Sequence, residues 1–241
     1  MIHTNTPELN NIKRSLIEMR LVETKNELED MLAYPDDKLV DIIKEVGFEC
    51  DLCGRCCTNE FNDHVFLLDK DTALLKKIDP SVLTPAPYYE FCDQNGRFYV
   101  SGYALKAKPD GSCIFLTNGR CEIYDSRLSI CRLYPYMLHY EADEGGNLEW
   151  RQISGLNEHG NYHTDIDDDD CKKIAADIKE YEAGHLNQQI SFLNTIDKLF
   201  KKEGLKHVQG VYDREMRRFK KGGKIEVFVF FDGNFESVKL P

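Results

Sequence analysis

A cluster of four cysteines near residue 50 constrains this chain more than any other feature of its sequence. Residues 49–58 read Glu-Cys-Asp-Leu-Cys-Gly-Arg-Cys-Cys-Thr, so four of the nine cysteines fall within eight residues at the spacing C-x2-C-x2-C-C. A hydrophobic core does not need thiols at that density, and four thiols held so close either cross-link or bind metal. The sequence therefore predicts that distant segments return to this loop.

Length and N-terminal composition favour metal binding over disulfides. A chain of 241 residues can bury a substantial core without cross-links. The polar residues 1–5 are followed by no apolar run of a secretory signal, and no stretch approaches the roughly 18 apolar residues of a membrane-spanning helix. We therefore expect a soluble, cytoplasmic protein with no membrane contact, in which thiols stay reduced and act as metal ligands or redox centres.

The charge of the chain argues against nucleic acid as a partner. Its formal net charge is -11, whereas binding to phosphates needs a basic field. A local basic patch near the C-terminus is better explained as a solvated helix end with cations over the last carbonyls. The patch consists of Arg214, Arg217, Arg218, Lys220, Lys221 and Lys224.

Apolar periodicity and turn residues predict a single α+β domain. Residues 1–47 form an N-terminal helical arm, residues 48–171 a cysteine-cluster metal-binding domain, and residues 172–241 C-terminal helices and a closing hairpin packed on the same domain. Helices are expected at 7–33, 37–46, 69–78, 171–182, 185–203 and 215–220, with a break at Gly184. A strand is expected at 64–68, and hairpins at 89–104, 113–124, 136–153 and 225–240.

The cysteine spacing favours an iron–sulfur cluster over zinc. Bacterial ferredoxins use a C-x2-C-x2-C run, whereas zinc sites more often use two separate C-x2-C pairs. Outside the loop the remaining candidate ligands are single residues: Cys113, Cys121, Cys131 and Cys171. Eight cysteines suffice for two four-thiolate sites, or for one cluster and a redox-active pair, and counting leaves both open.

The sequence also constrains the roles of several other residues. Cys56 and Cys57 are adjacent, and because neighbouring side chains usually diverge, we expect only one of them to bind a given ion. Cys92 lies in a strand pattern beside aromatic residues and is expected to be a buried free thiol. His159 and His163 are expected to be exposed loop histidines, and the acids of 165–170 to cap the helix that follows. Trp150 is expected to lie in the core.

These cysteines stand in segments that resemble a known family. The segments are Cys50-x2-Cys53-x2-Cys56-Cys57, Gly-Ser-Cys-Ile-Phe-Leu at 111–116, Cys-Glu-Ile-Tyr at 121–124, Arg127, and Cys-Arg-Leu-Tyr-Pro at 131–135. Their order is similar to that of the CxxCxxCC cysteine-cluster proteins, a family described as zinc- or iron-chelating. The resemblance covers about 48–171 and implies metal ligation by Cys50, Cys53, Cys56, Cys57, Cys113, Cys121 and Cys131. Cys171 matches a later cysteine of the family less closely, and Leu128 stands where the family commonly has proline.

One branch of this family is similar to flagellin lysine methylase, which combines a cysteine cluster with methyl transfer from S-adenosylmethionine. The present chain is shorter and carries no Gly-rich strand–loop–helix signature for that cofactor. The leading hypothesis is therefore a [4Fe–4S] protein acting in redox transfer or cluster handling. The alternatives are a structural zinc module that mediates interactions and an S-adenosylmethionine-dependent lysine methylase.

The sequence assigns neither catalytic residues nor a specific partner. The partner of the leading hypothesis is a redox protein or another protein of unspecified identity, and a homodimer through the N-terminal helix stays open. Arg55, Arg127 and Arg132 lie close in sequence to candidate ligands, and we expect them to offset the negative charge of a thiolate-bound cluster.

Overall fold

The computed structural model of the protein describes residues 15–60, 63–136, 138–142, 148–152 and 157–241, the two segments 138–142 and 148–152 by their backbone alone. It confirms the predicted α+β class, with helices and several short strands in small sheets. The helices are α1 (Leu16–Ala33), α2 (Asp36–Val46), α3 (Asp69–Ile78), α4 (Ser129–Leu133), α5 (Asp168–Glu203) and α6 (Gln209–Phe219).

The strands form one four-stranded sheet and three two-stranded ones. Their bounds are β1 (Leu83–Pro85), β2 (Phe91–Cys92), β3 (Phe98–Val100), β4 (Tyr103–Leu105), β5 (Leu116–Thr117), β6 (Arg120–Cys121), β7 (Leu138–Ala142), β8 (Leu148–Gln152), β9 (Ile225–Phe231) and β10 (Asn234–Leu240). The larger sheet has the order β10-β9-β3-β2, in which β3 and β9 are parallel and the other neighbours antiparallel. The pairs β1–β4, β5–β6 and β7–β8 are antiparallel.

The α1 helix has a capping box at its N-terminus. The Ser15 hydroxyl accepts a hydrogen bond from the Glu18 amide at 3.1 Å, and the Glu18 carboxylate accepts one from the Ser15 amide at 3.0 Å, which satisfies two amides that the first turn leaves unpaired. The predicted start near residue 7 lies outside the described residues. Ile17 and Met31 face inward, whereas Leu16 and Met19 are exposed.

The α5 helix is continuous through Gly184, so the predicted break there is wrong. Asp167 caps the helix by accepting hydrogen bonds from the amides of Asp169 and Asp170, as expected for the acidic run. A glycine costs a helix only about 1 kcal/mol relative to alanine. At Gly184 a Cβ atom would lie 3.2 Å from the Leu68 side chain, so the glycine leaves room for this contact between α5 and the chain that enters α3.

The sheet separates two parts of the core. Phe98 and Val100 of β3 face a cluster that includes the thiols Cys113 and Cys131 at its edge. Tyr99, on the opposite face of the strand, packs with Phe192 and other residues of α5. The first half of α5 packs with α2 and α4 in a third cluster. Because α5 contacts α1, α2 and α4, it joins the arms to the cysteine-containing region.

Several other predictions have clear outcomes. The helices α2 and α3 and the four hairpins are confirmed, although the strands of 89–104 are shorter than predicted. The predicted strand 64–68 is wrong, since only Phe66 forms a bridge, to Ala104.

The turn between β7 and β8 and the side chain of Trp150 lie outside what the structure describes. No helix of the described ranges is long and apolar enough to cross a membrane. Dimerisation through the N-terminal helix stays a prediction.

Candidate metal centre

The cysteine loop is held at both ends by backbone hydrogen bonds. The α2 helix ends at Gly47 in a left-handed conformation, with φ 50° and ψ 52°, as the sequence predicted. Glu49 then forms an antiparallel bridge with Asn161, and the Asp51 carboxylate accepts a hydrogen bond from the Cys53 amide at 3.1 Å. The loop closes in a 3₁₀ turn over Arg55–Cys57. These contacts place Cys50 directly after the helix.

The hairpin β5–β6 is joined to the end of this loop. The Cys113 amide donates to the Cys57 carbonyl at 2.7 Å, and the Asn59 amide donates to the Gly111 carbonyl at 3.1 Å. Gly54 has φ 74°, and a Cβ atom there would lie 2.9 Å from Leu116 and 3.0 Å from the Gly119 carbonyl. The loop can therefore pack on the hairpin only because residue 54 lacks a side chain.

The short helix α4 brings Cys131 to the same place. Its first residue, Ser129, donates hydrogen bonds from its amide and its hydroxyl to the buried carboxylate of Asp71 on α3, at 3.1 and 3.0 Å. Leu128, before the helix, is buried. Cys131 packs against both the α5 side and the sheet side of the core. A buried polar anchor thus fixes α4 against the sheet-side core.

Six of the eight candidate cysteines line one cavity of about 750 Å³. The loop contributes three of them, the hairpin region two and α4 one: Cys50, Cys56, Cys57, Cys113, Cys121 and Cys131. The sequence predicts that distant segments return to the loop, and in the structure the hairpin region and α4 do so. All nine cysteines are free thiols.

The remaining three cysteines lie elsewhere. Cys53 is exposed on the loop, outside the cavity lining. Cys171 is fully buried in the first turn of α5, where its thiol lies 3.7 Å from the Ile166 carbonyl. Cys171 does not line the cavity, so its position does not support its predicted role as a metal ligand. Cys92 is buried in β2 among apolar residues, as expected of a structural thiol.

Cys56 and Cys57 do not diverge as predicted. Their sulfur atoms lie 4.0 Å apart because the chain curls tightly in the 3₁₀ turn, where the Cys57 amide donates to the Gly54 carbonyl. The thiol contact with Cys56, together with burial, raises the pKa of Cys57 strongly. Both sulfurs are therefore near enough to serve one centre.

Burial favours the protonated form of three further cavity thiols, Cys113, Cys121 and Cys131. Burial raises the pKa of Cys113 to about 11 and that of Cys131 to about 12. The pKa of Cys121 is also raised, again mainly by burial. Each of these three thiols interacts electrostatically with Cys57, which further disfavours several thiolates at once. A bound cation would remove both penalties.

Two cations face the thiols. The Arg127 guanidinium stacks on the Tyr124 ring at 4.1 Å from its centroid, and its charge acts to lower the pKa of Cys57 and Cys121. The Lys108 ammonium donates to the Leu116 carbonyl and acts in the same direction on Cys113. Arg127 was expected here from the sequence. Lys108 was missed because it lies in a turn that carries no ligand.

The other two arginines named from the sequence have different partners. Arg55 donates to the Glu158 carbonyl at 2.8 Å and to the Glu60 carboxylate at 2.7 Å. It thus connects the cysteine loop to the segment before α5. Arg132 acts on Glu180 of α5, where its charge helps to lower the pKa of that carboxyl. The structure therefore gives Arg55 an ion-pair partner in Glu60, whereas Glu180 is paired with Lys70 and feels Arg132 only through its charge.

The family of the chain follows from the match of this region. A family model whose description reads "CxxCxxCC: Putative zinc- or iron-chelating domain" matches residues 49–172. The chain belongs to the CxxCxxCC family. No curated protein and no solved structure matches it. The matched residues contain every cysteine that lines the cavity.

The residues of the CxxCxxCC domain suit zinc or iron by the chemistry of their donors. Soft thiolates select zinc, copper(I) and iron–sulfur clusters over hard cations. Within the ranges that the structure describes, no three Cys, His, Asp or Glu side chains are already close enough to hold one metal ion. Binding in the CxxCxxCC domain therefore requires the thiols to close further around the metal, with release of their protons.

One histidine beside the CxxCxxCC loop differs from its prediction. His159 was expected to be exposed, but it is buried at 9% exposure, with its ring 5.3 Å from that of Tyr134, a cavity residue. Burial lowers its pKa, and the charge of Arg55 adds to the effect. His163 is exposed as predicted, with Nδ1 at 3.1 Å from the Glu45 carbonyl. The Glu49–Asn161 bridge brings the segment of His159 to the cysteine loop, and it joins residues too distant in sequence to be predicted.

Proposed function

We propose that this protein binds a [4Fe–4S] cluster at the cavity thiols and acts in cytoplasmic electron transfer or in the handling of such clusters. The residues that would hold the cluster come from the six cysteines that line the cavity. Cys57 interacts with more of the other cavity cysteines than any of them does: its neighbours are Cys56, Cys113, Cys121 and Cys131. The cluster supplies one-electron chemistry when it is bound.

The observation that carries the proposal is the convergence of six thiols from three chain segments on one largely apolar cavity. A zinc ion in a structural site takes four ligands in a tetrahedron, so six thiols exceed its requirement. The C-x2-C-x2-C run at residues 50–56 supports a cluster, because ferredoxins use this spacing. Zinc knuckles would instead call for a second C-x2-C pair, and the cysteines at 113, 121 and 131 are single.

The surroundings of the thiols also favour a cluster that carries negative charge. Arg127 and Lys108 both face the thiols. Hydrogen bonds and charge around the sulfurs tune the potential of such a centre. The role of this chain is then to bury the cluster, to offset its charge and to hold four thiolates in place.

The visible spectrum of anaerobically purified protein tests the proposal. We expect a broad brown absorbance that bleaches with dithionite, together with iron and acid-labile sulfide in equal amounts. A colourless protein that carries stoichiometric zinc would contradict the cluster and would favour a structural zinc module. Metal analysis and the spectrum on one sample separate these two outcomes.

A further inference from the structure

The cavity beside the thiols extends beyond what a metal centre needs. Its volume is about 750 Å³, within the range of roughly 300–1,000 Å³ that is typical of pockets for small organic ligands. A zinc ion lies only about 2.3 Å from its sulfur ligands, and a cluster likewise stays at bonding distance from its thiolates. We propose that the remainder of the cavity binds a small organic anion with an apolar body.

One wall of this space contains no candidate metal ligand. It is built from β1, from β4 and from the segment before α3, and its residues include Val65, Thr84, Pro85, Ala104 and Leu105. The wall is fixed by backbone pairing, since Thr84 pairs with Ala104 in the β1–β4 ladder and the Leu105 amide donates to the Val65 carbonyl at 2.9 Å. A rigid apolar surface of this kind suits the body of a ligand.

A second wall comes from the C-terminal region, outside the matched residues 49–172. It consists of Phe219 at the end of α6, Leu240 at the end of β10, and Pro241. Leu240 pairs with Ile225 on β9, so its position depends on the closing hairpin. The side chains of these three residues are apolar and contain no metal-binding atom. They give the cavity of this chain a lining that its cysteine domain does not supply.

The charges at the cavity favour an anion. Its cationic residues are Lys106, Arg120 and Arg127, and its acids are Asp63 and Asp125. Asp63 already accepts hydrogen bonds from His64 and Tyr88. Within the described residues no carboxylate lies at ion-pair distance from Arg127, whose contacts are the Tyr124 ring and carbonyl. In a chain of net charge -11, the cavity residues other than the cysteines thus carry one cation more than acids, which favours a negative group.

Calorimetric titration of the metal-loaded protein with 2-naphthalenesulfonate tests the site. The uncharged analogue 2-naphthalenesulfonamide has the same apolar body and serves as the control ligand. We expect one saturable site per chain for the sulfonate, with an affinity about tenfold higher than that for the sulfonamide, because a charged acceptor makes stronger hydrogen bonds to arginine and lysine. No saturable heat, or equal affinities for both compounds, would overturn the proposal.

Two neighbouring substitutions on β10 locate the site. Leu240→Ala removes a lining side chain, and we expect about fivefold weaker binding of the sulfonate. Val238→Ala is the matched control, since residue 238 lies on the same face of the same strand but does not line the cavity; its affinity should stay within about twofold. Equal weakening in both variants would place the ligand elsewhere.

A third variant fills the space. Ala107 is exposed and lines the cavity, so Ala107→Trp should abolish sulfonate binding without a buried clash; unchanged affinity would contradict the site. Near-ultraviolet circular dichroism shows whether each variant stays folded, and iron, sulfide and zinc are measured on the same samples. A protein that holds zinc and binds the sulfonate would refute the iron–sulfur proposal and leave the ligand site standing.

Discussion

At the scale of single residues, the cysteines of this chain divide by surroundings rather than by spacing. Cys131 interacts with Cys57, Cys113 and Cys121, whereas Cys92 is enclosed by the apolar core beside β3. Both are largely removed from water, and burial raises the pKa of each to about 12. The difference between a ligand and a structural thiol is therefore the presence of other sulfurs within reach.

Serine substitutions separate these two kinds of thiol. We expect Cys131→Ser and Cys56→Ser to lose most of the bound metal, because a hydroxyl is a poor substitute for a thiolate at a soft metal centre. Cys92→Ser should keep its metal content, although its stability will fall by about 1–2 kcal/mol for a buried hydroxyl. Metal analysis of the three purified variants checks this, and equal loss in all three would show that Cys92 takes part in the site.

The partly buried acid Glu90 gives a prediction about pH. Burial raises its pKa from the ordinary value of 4.5 to about 7, so the folded chain holds a proton that the unfolded chain releases. The contribution of protonated Glu90 to the unfolding free energy is complete below pH 4.5 and is lost as the pH rises through 7. Between pH 5 and pH 8 we expect the wild type to lose about 2 kcal/mol more unfolding free energy than Glu90→Gln.

Urea unfolding at the two pH values measures this difference. Glutamine can still accept the hydrogen bond from the Ser101 amide, which Glu90 accepts at 3.3 Å, and it stays neutral throughout. Glu29→Gln, on the exposed side of α1, is the control and should retain the wild-type dependence. Identical slopes for wild type and Glu90→Gln would show that Glu90 ionises normally.

The sequence identified most candidate thiols because four cysteines within eight residues either cross-link or bind metal. It placed Cys171 with them, whereas the residue lies in the α5 core. It also took His159 for an exposed histidine. In both cases the outcome depends on which distant backbone segments pair, as Glu49 does with Asn161, and a local pattern carries no information about that pairing.

At the scale of elements, the end of α2 determines where the cysteine loop begins. Gly47 is left-handed, and residues 163–164 lie against it: the Thr164 amide and hydroxyl both donate to the Gly47 carbonyl, at 2.9 and 2.7 Å. A Cβ atom at residue 47 would lie 2.4 Å from the Thr164 carbonyl oxygen. One glycine thus terminates the helix and admits the segment that covers the loop.

Alanine at two helix ends separates conformational strain from steric overlap. Gly47→Ala should lower the unfolding free energy by about 2–5 kcal/mol, from left-handed strain together with the clash. Gly204→Ala, at the left-handed end of α5, has no neighbouring atom within 4 Å of the new Cβ and should cost only about 1–2 kcal/mol. Chemical denaturation measures both, and equal losses would exclude the predicted overlap.

Elements with strong local signals were predicted well. The α2 and α3 helices and the β9–β10 hairpin have clear periodicity and turn residues, and their bounds agree with the structure. The α5 helix was split at Gly184 because a glycine lowers helix propensity. Packing along its 36 residues overrides that cost, since tertiary burial contributes more than the propensity of one residue.

At the scale of the whole molecule, the metal would connect segments that are far apart in sequence. Cys57, Cys113 and Cys131 lie in three different segments of the chain around one cavity. Ligand binding to the folded state alone stabilises it by about 4 kcal/mol when the free ligand is at 1,000 times its dissociation constant. Occupation of the site should therefore raise the unfolding temperature of the entire domain.

Metal removal tests this connection. After reduction and chelation we expect the melting temperature to fall by about 8–16 °C, since about 4 kcal/mol corresponds to that range in a domain of this size. Scanning calorimetry before and after chelation measures it, and re-addition of metal should restore the original value. An unchanged melting temperature would show that the thiols do not bind metal in the folded protein.

The sequence could predict that the middle of the chain forms the site, but not that the end of the chain contributes to it. Phe219 and Leu240 follow ordinary apolar patterns of a helix and a strand. Their position at the cavity depends on the parallel pairing of β3 with β9. That pairing joins segments more than a hundred residues apart, and no local signal specifies it.

The separation of the cysteines along the chain has a consequence during synthesis. Cys131 follows Cys50 by 81 positions, and ribosomes add about 5–20 residues per second. The loop is therefore made about 4–16 s before α4. Throughout that interval its thiols are present on the nascent chain without their later partners. A metal centre that uses Cys131 would therefore be completed only after residue 131 has left the ribosome.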